Sequence, residues 1–123
     1  MTIGSTLRTF AASKPDAHAI LCDGAQITWS QLYACVLRLA GELSRRTPEG
    51  AGIAIQLPNS PHFLAVFLAV AMSGREAQVL DIDWPASHLK AVLDGLSPAL
   101  LVCQRAELLR QCLPVDIGKP LED

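Results

Sequence analysis

The spacing of apolar residues changes several times along the chain, and each change predicts a new element. A short helix is predicted to begin at Ser5 or Thr6, where a hydroxyl can cap the first turn. Two short apolar runs, 19–21 and 27–29, lie on either side of an Asp-Gly pair, which predicts a β-hairpin. Residues 30–46 then carry apolar side chains at spacings of three and four, the pattern of an amphipathic helix.

Downstream of this helix, short apolar runs alternate with helical patterns. Buried strands are predicted over 53–57, 77–82 and 99–103. An uncharged helix that starts at Ser60 and Pro61 and an amphipathic helix over 85–96 separate them. Another helix and a strand start are expected over 106–112 and 115–117. Alternating strands and helices form parallel sheets with right-handed crossovers. The pattern therefore predicts an α/β fold: an open, mainly parallel sheet with flanking helices and an N-terminal hairpin.

Composition adds the expectation of a face that is buried against another protein surface. Half of the 123 residues are hydrophobic, and the mean hydropathy of +0.31 is high for a soluble monomer. The net charge of -2 gives no electrostatic reason to expect nucleic acid or an anionic membrane as partner. The apolar run over 63–72 is shorter than the roughly 18 residues of a membrane span. It predicts a buried helix that must be covered on most sides.

The cysteines and the N-terminus favour a cytoplasmic protein. The four cysteines are Cys22, Cys35, Cys103 and Cys112. They have no CxxC spacing and no histidine beside them in a zinc-like pattern, so we expect four reduced thiols that pack as small hydrophobic side chains. The first ten residues contain no long apolar run, so we expect no signal peptide.

Two acidic residues form the best candidate for local chemistry. Asp81 and Asp83, two apart on a predicted strand, would face the same side near its carboxyl end, where open α/β sheets bind ligands. Paired carboxylates can transfer protons or hold Mg²⁺. We favour a more ordinary interpretation, in which one caps the helix beginning near Pro85 and the other faces solvent. The Gly50-x-Gly52 pair is followed by a strand, so it does not form a phosphate loop.

The remaining candidates are interpreted as structural. His62 and His88 lie in first helical turns with no acid or nucleophile beside them, which favours surface or packing roles. Trp29 and Trp84 are expected to pack against the sheet, Trp84 being the better candidate for an exposed contact. Arg75 is expected to be a solvated charge in a turn. We therefore assign no catalytic, cofactor-binding or metal-binding residue.

Five strings in this chain resemble the opening segment of the AMP-forming adenylate ligases, a family of acyl-CoA synthetases, adenylating domains and luciferases. They are ITWSQL at 27–32, IQLPNSP at 55–61, FLAVAMSG at 67–74, LDIDWP at 80–85 and PALLV at 98–102. The resemblance covers nearly the whole chain. The Arg-Glu-Ala-Gln string at 75–78 replaces the family's apolar strand entry, and no Pro precedes Asp81, which indicates a divergent member.

The resemblance implies a two-step reaction. A carboxylate attacks the α-phosphorus of ATP to give an acyl-adenylate, and a thiol of CoA or pantetheine then takes the acyl group. In the family the residues that bind ATP and Mg²⁺ come later than residue 123, so none can be transferred to this sequence. Residues 1–123 are thus expected to be an N-terminal subdomain fragment of a larger N-terminal domain, inactive alone. Its apolar face would be covered by the remainder of the ligase chain or a partner subunit.

Two alternatives remain open. A non-catalytic α/β module could use the same scaffold to bind a partner or to form a homodimer. A flavodoxin-like or receiver-like domain would need a glycine-rich or acidic site at the end of its first strand, whereas the strand over 53–57 is followed by Pro-Asn-Ser. A Ser/Thr/Gly-rich loop soon after Asp123 in the reading frame would favour the ligase, and a stop codon would favour the module.

Overall fold

A computed structural model describes residues 2–22 and 24–103, and within them four helices and five strands. The elements are α1 (Ile3–Ser13), β1 (His18–Cys22), β2 (Ala25–Thr28), α2 (Trp29–Arg46), β3 (Gly52–Gln56), α3 (Pro61–Met72), β4 (Glu76–Val79), α4 (Ala86–Leu96) and β5 (Leu100–Cys103). The elements predicted over 106–112 and 115–117 lie outside the described residues.

Side-chain caps fix where the first three helices begin. Thr2 Oγ1 accepts a hydrogen bond from the Ser5 backbone N–H at 3.0 Å, so α1 begins at Ile3, earlier than predicted. Thr28 caps α2 in the same way, which places Trp29 in the helix and not in the preceding strand. Ser60 Oγ accepts from the Phe63 N–H at 3.2 Å and starts α3.

The predicted hairpin is confirmed. Strands β1 and β2 pair antiparallel as a separate two-stranded sheet. Gly24 in the connecting turn has a φ of 82°, a conformation that glycine adopts without steric cost.

The main sheet confirms the predicted α/β fold. Strand β3 lies in the middle and pairs parallel with β4 on one side and β5 on the other. Ile53 and Ile55 of β3 and Val102 of β5 pack with α2 and α3 in the hydrophobic core. Because the chain moves from β3 to β4 and then back across β3 to β5, right-handed connections place α3 and α4 on opposite faces of the sheet.

The second half of the sheet differs from the prediction in two details. Strand β4 ends at Val79 and not at residue 82, because the chain turns at Asp81. Helix α4 confirms the predicted amphipathic helix, but none of its residues is fully buried. Leu96, at the end of that stripe, is 43% exposed.

The cysteine expectation is only partly met. Cys103 is a half-buried free thiol. Cys35 is buried in α2 and disulfide-bonded, so the expectation of four reduced cysteines is wrong at this position. The Cys22 side chain and Cys112 lie outside the described part of the chain.

No helix within residues 2–22 and 24–103 combines the length and the apolar character that a transmembrane helix needs.

Candidate functional site

A cleft opens where β3 and β4 end side by side. The cleft lies at the carboxyl edge of the parallel sheet, the edge at which open α/β sheets bind ligands. The cleft has a volume of about 530 Å³. It is lined by Leu57, Pro58, Asn59, Phe63, Val79, Leu80, Asp81, Ile82, Asp83 and Trp84.

The structure places Asp81 and Asp83 in the loop after β4 and not on the strand. Asp81 Oδ1 accepts a hydrogen bond from the Asp83 backbone N–H at 2.8 Å, so this carboxylate stabilises the loop itself. The expectation that one of the pair caps the next helix is wrong, because α4 begins after Pro85 without a side-chain cap. Both aspartates are exposed, in agreement with the solvent-facing part of that interpretation.

The charge of the cleft argues against a phosphate ligand. None of its ten lining residues is basic, and the two aspartates make it acidic. Anionic phosphates need cationic side chains or converging backbone N–H groups to offset their charge. Within the described ranges, no group of three or more His, Cys, Asp and Glu side chains could hold a metal ion.

The two tryptophans have different neighbours. Trp84 meets the His88 ring edge-on at a centroid distance of 4.7 Å, beside the cleft. Trp29 stacks on Phe10 at 4.7 Å, so its ring packs against α1, whereas the sequence had predicted packing against the sheet. Only Trp84 is therefore placed where it could touch a ligand at the strand ends.

His62 is buried in the first turn of α3, with 2% of its surface exposed. Its Nδ1 atom has no hydrogen-bond partner. Burial disfavours the charged imidazolium, which lowers the pKa of His62 below its ordinary value. This confirms a packing role over a surface role.

The buried histidine predicts a loss of stability in mild acid. Because the folded-state pKa of His62 is lowered, the unfolded chain binds the proton more readily, so stability is full above about pH 6.5 and falls as the pH drops below it. Because one proton is involved, the free energy of unfolding changes by at most about 1.4 kcal/mol per pH unit.

Urea unfolding between pH 5 and 7.5 measures how the free energy of unfolding depends on pH. His62→Leu should flatten the profile and His18→Gln, at an exposed position, should not. Equal slopes in all three proteins would contradict the assignment.

Arg75 is not the solvated charge that the sequence predicted. Its guanidinium is half-buried and donates to the Thr47 carbonyl at 2.5 Å, to the Ser73 carbonyl at 2.6 Å and to Thr47 Oγ1 at 3.2 Å. These bonds join the end of α2 to the turn between α3 and β4. No sequence signal could have found them, because Thr47 lies 28 residues before Arg75.

The fold and the cleft define a class: an α/β layer with a parallel sheet, whose loops at the strand ends line an acidic cleft. Residues 7–120 match the family model described as AMP-binding enzyme. The chain therefore belongs to this family, the adenylate-forming enzymes that its sequence motifs resemble.

Two curated proteins are similar to this chain in sequence, and a solved structure is similar to it in fold. Novobiocin biosynthesis protein H of Streptomyces niveus is 35% identical over 112 residues, which are 88% of this chain and 18% of that protein. A dimodular nonribosomal peptide synthase of Bacillus subtilis is 29% identical over 89% of this chain and 5% of that protein. The N-terminal subdomain of Klebsiella oxytoca NpsA, solved in complex with 3-hydroxybenzoyl-AMSN, superposes with a TM-score of 0.77 at 19% identity. That match covers 98% of this chain and 34% of the NpsA chain. The chain thus spans a small part of these relatives.

Proposed function

We propose that residues 1–123 are an N-terminal scaffold segment of an ATP-dependent ligase. The ligase activates a carboxylic acid as an acyl-adenylate and passes the acyl group to a thiol of CoA or a carrier protein. The family match over residues 7–120 is the observation that carries this proposal. The segment's part is to hold the loops at the strand ends in position, since positioning supplies much of the catalysis in such reactions.

In this proposal the ligands are bound by other parts of the ligase. ATP, Mg²⁺ and CoA or pantetheine would need cationic and oxygen-ligand groups, and the acidic cleft of this segment offers phosphate no positive charge. No residue of this chain acts as a catalytic, cofactor-binding or metal-binding group. The remainder of the ligase covers an apolar face of the segment.

The mass of the native protein tests the proposal directly. An antibody raised against this 13.2 kDa chain should detect in the source cells a much larger polypeptide, and its tryptic peptides should include this sequence. Purified, that polypeptide should catalyse ATP–pyrophosphate exchange with a carboxylic acid, whereas residues 1–123 alone should remain at background. A native protein of about 13 kDa would favour the non-catalytic module instead, and exchange by the isolated chain would contradict the scaffold role.

A further inference from the structure

Helix α3 buries one side and leaves an apolar stripe on the other. Its sequence, PHFLAVFLAVAM, contains no acidic or basic residue other than His62. The stripe consists of residues one helical turn apart, Leu64, Phe67, Leu68 and Ala71. Leu64 is 37% exposed and Phe67 is 38% exposed. The Phe67 ring stacks on that of Phe63 at a centroid distance of 6.2 Å.

The stripe continues into an apolar groove between α1, α2 and α3. The groove has a volume of about 400 Å³ and is lined by Thr2, Ile3, Thr6, Leu7, Ala19, Trp29, Leu32, Leu64 and Leu68. None of these residues is charged. Ile3, on its rim, is 43% exposed. We call the stripe and the groove together the α1–α3 face.

The α1–α3 face differs from the other exposed apolar positions in its continuity. Helix α4 also has an apolar stripe, but Lys90 and Asp94 are exposed on the same short helix. Leu21 and Leu37 are exposed on other elements, at 70% and 45%. A concave, uncharged surface that joins three helices is typical of an interface, whereas scattered apolar residues are normal on any protein.

The length of similar proteins indicates what covers this face. The fold of this chain occupies 34% of the solved NpsA N-terminal subdomain, so two thirds of such a subdomain is available to pack against it. We propose that the α1–α3 face is the docking surface for the later part of the same N-terminal subdomain. This inference rests on the proposed function. The docking segment presents apolar, uncharged side chains, because a buried charge would meet no counterion on this face.

A paired substitution separates this inference from the proposed function. Leu64→Gln with Phe67→Gln should lower the melting temperature of the large native polypeptide by about 5 °C or more, because both side chains are buried there. The same pair should leave the melting temperature of residues 1–123 unchanged within about 2 °C, since both are exposed in this chain. Leu21→Gln with Leu37→Gln is the matched control and should change neither protein.

Footprinting gives a second readout that does not depend on the folding of a variant. Carbene labelling should modify Phe67 in residues 1–123 and leave it protected in the large polypeptide. Equal labelling in both, an unchanged melting temperature of the large variant, or an equal loss in the Leu21 and Leu37 control would overturn the assignment of this face. A protected Phe67 in a dimer of residues 1–123 would overturn the choice of occupant. A native protein of only about 13 kDa contradicts the proposed function itself, which is a different outcome.

Discussion

Replacing Arg75 with alanine is expected to destabilise the chain by roughly 2–3 kcal/mol. The guanidinium donates three hydrogen bonds to Thr47 and Ser73, two of them to backbone carbonyls. Its loss leaves acceptors at the end of α2 unpaired, and Thr47 is only 6% exposed. Hydrogen bonds from charged donors are stronger than neutral ones, so their removal costs more than a surface change. Urea unfolding at pH 7.5 measures the difference in the free energy of unfolding.

Two further variants distinguish the effect of the Arg75 hydrogen bonds from a general effect of charge. Arg38→Ala removes an arginine that is exposed on α2 and should change the free energy of unfolding by no more than about 0.5 kcal/mol. Arg75→Lys keeps the charge but loses the planar fork, so it should recover only part of the loss. If Arg75→Ala is no worse than Arg38→Ala, the hydrogen bonds seen at Thr47 do not stabilise the fold.

Replacing Leu39 with alanine is expected to cost about 3 kcal/mol. Leu39 is 1% exposed in the middle of α2, the helix that packs against α1, α3 and the hairpin. The substitution removes buried apolar atoms and leaves a cavity among well-packed neighbours, and both effects lower stability. The measurement is again the free energy of unfolding in urea.

The same helix supplies the matched control. Leu37, two residues earlier, is 45% exposed, so Leu37→Ala makes the same chemical change at the same helix propensity and should cost less than about 1 kcal/mol. Similar losses of stability at both positions would show that the side of α2 carrying Leu39 is not buried.

Much of the fold could be predicted from local patterns. The helix over 30–46 and the uncharged helix after Ser60 are present because apolar periodicity and hydroxyl caps act over a few residues. The hairpin likewise follows from an Asp-Gly turn between two apolar runs. The ends of the elements were less predictable. Strand β4 was predicted too long, since a hydrogen bond within the 81–83 loop and not the apolar pattern ends it.

The candidate site was only partly predictable. The sequence placed Asp81 and Asp83 near the carboxyl end of a strand, and both line the cleft there. The sequence could not show that the Asp81 side chain accepts a hydrogen bond within its own loop, because these residues are compatible with both a turn and an extended strand. The expected helix cap at this point was therefore wrong.

By itself, the sequence determined the alternation of strands and helices and the family resemblance, because both depend on short-range patterns in the chain. Only the tertiary structure decided the roles of residues whose partners are distant in sequence. It joined Arg75 to Thr47, buried the His62 imidazole and left Leu64 and Phe67 together on an open face. An apolar pattern shows that a side chain prefers burial, but the packing of whole elements decides which sides of a helix are covered within this chain.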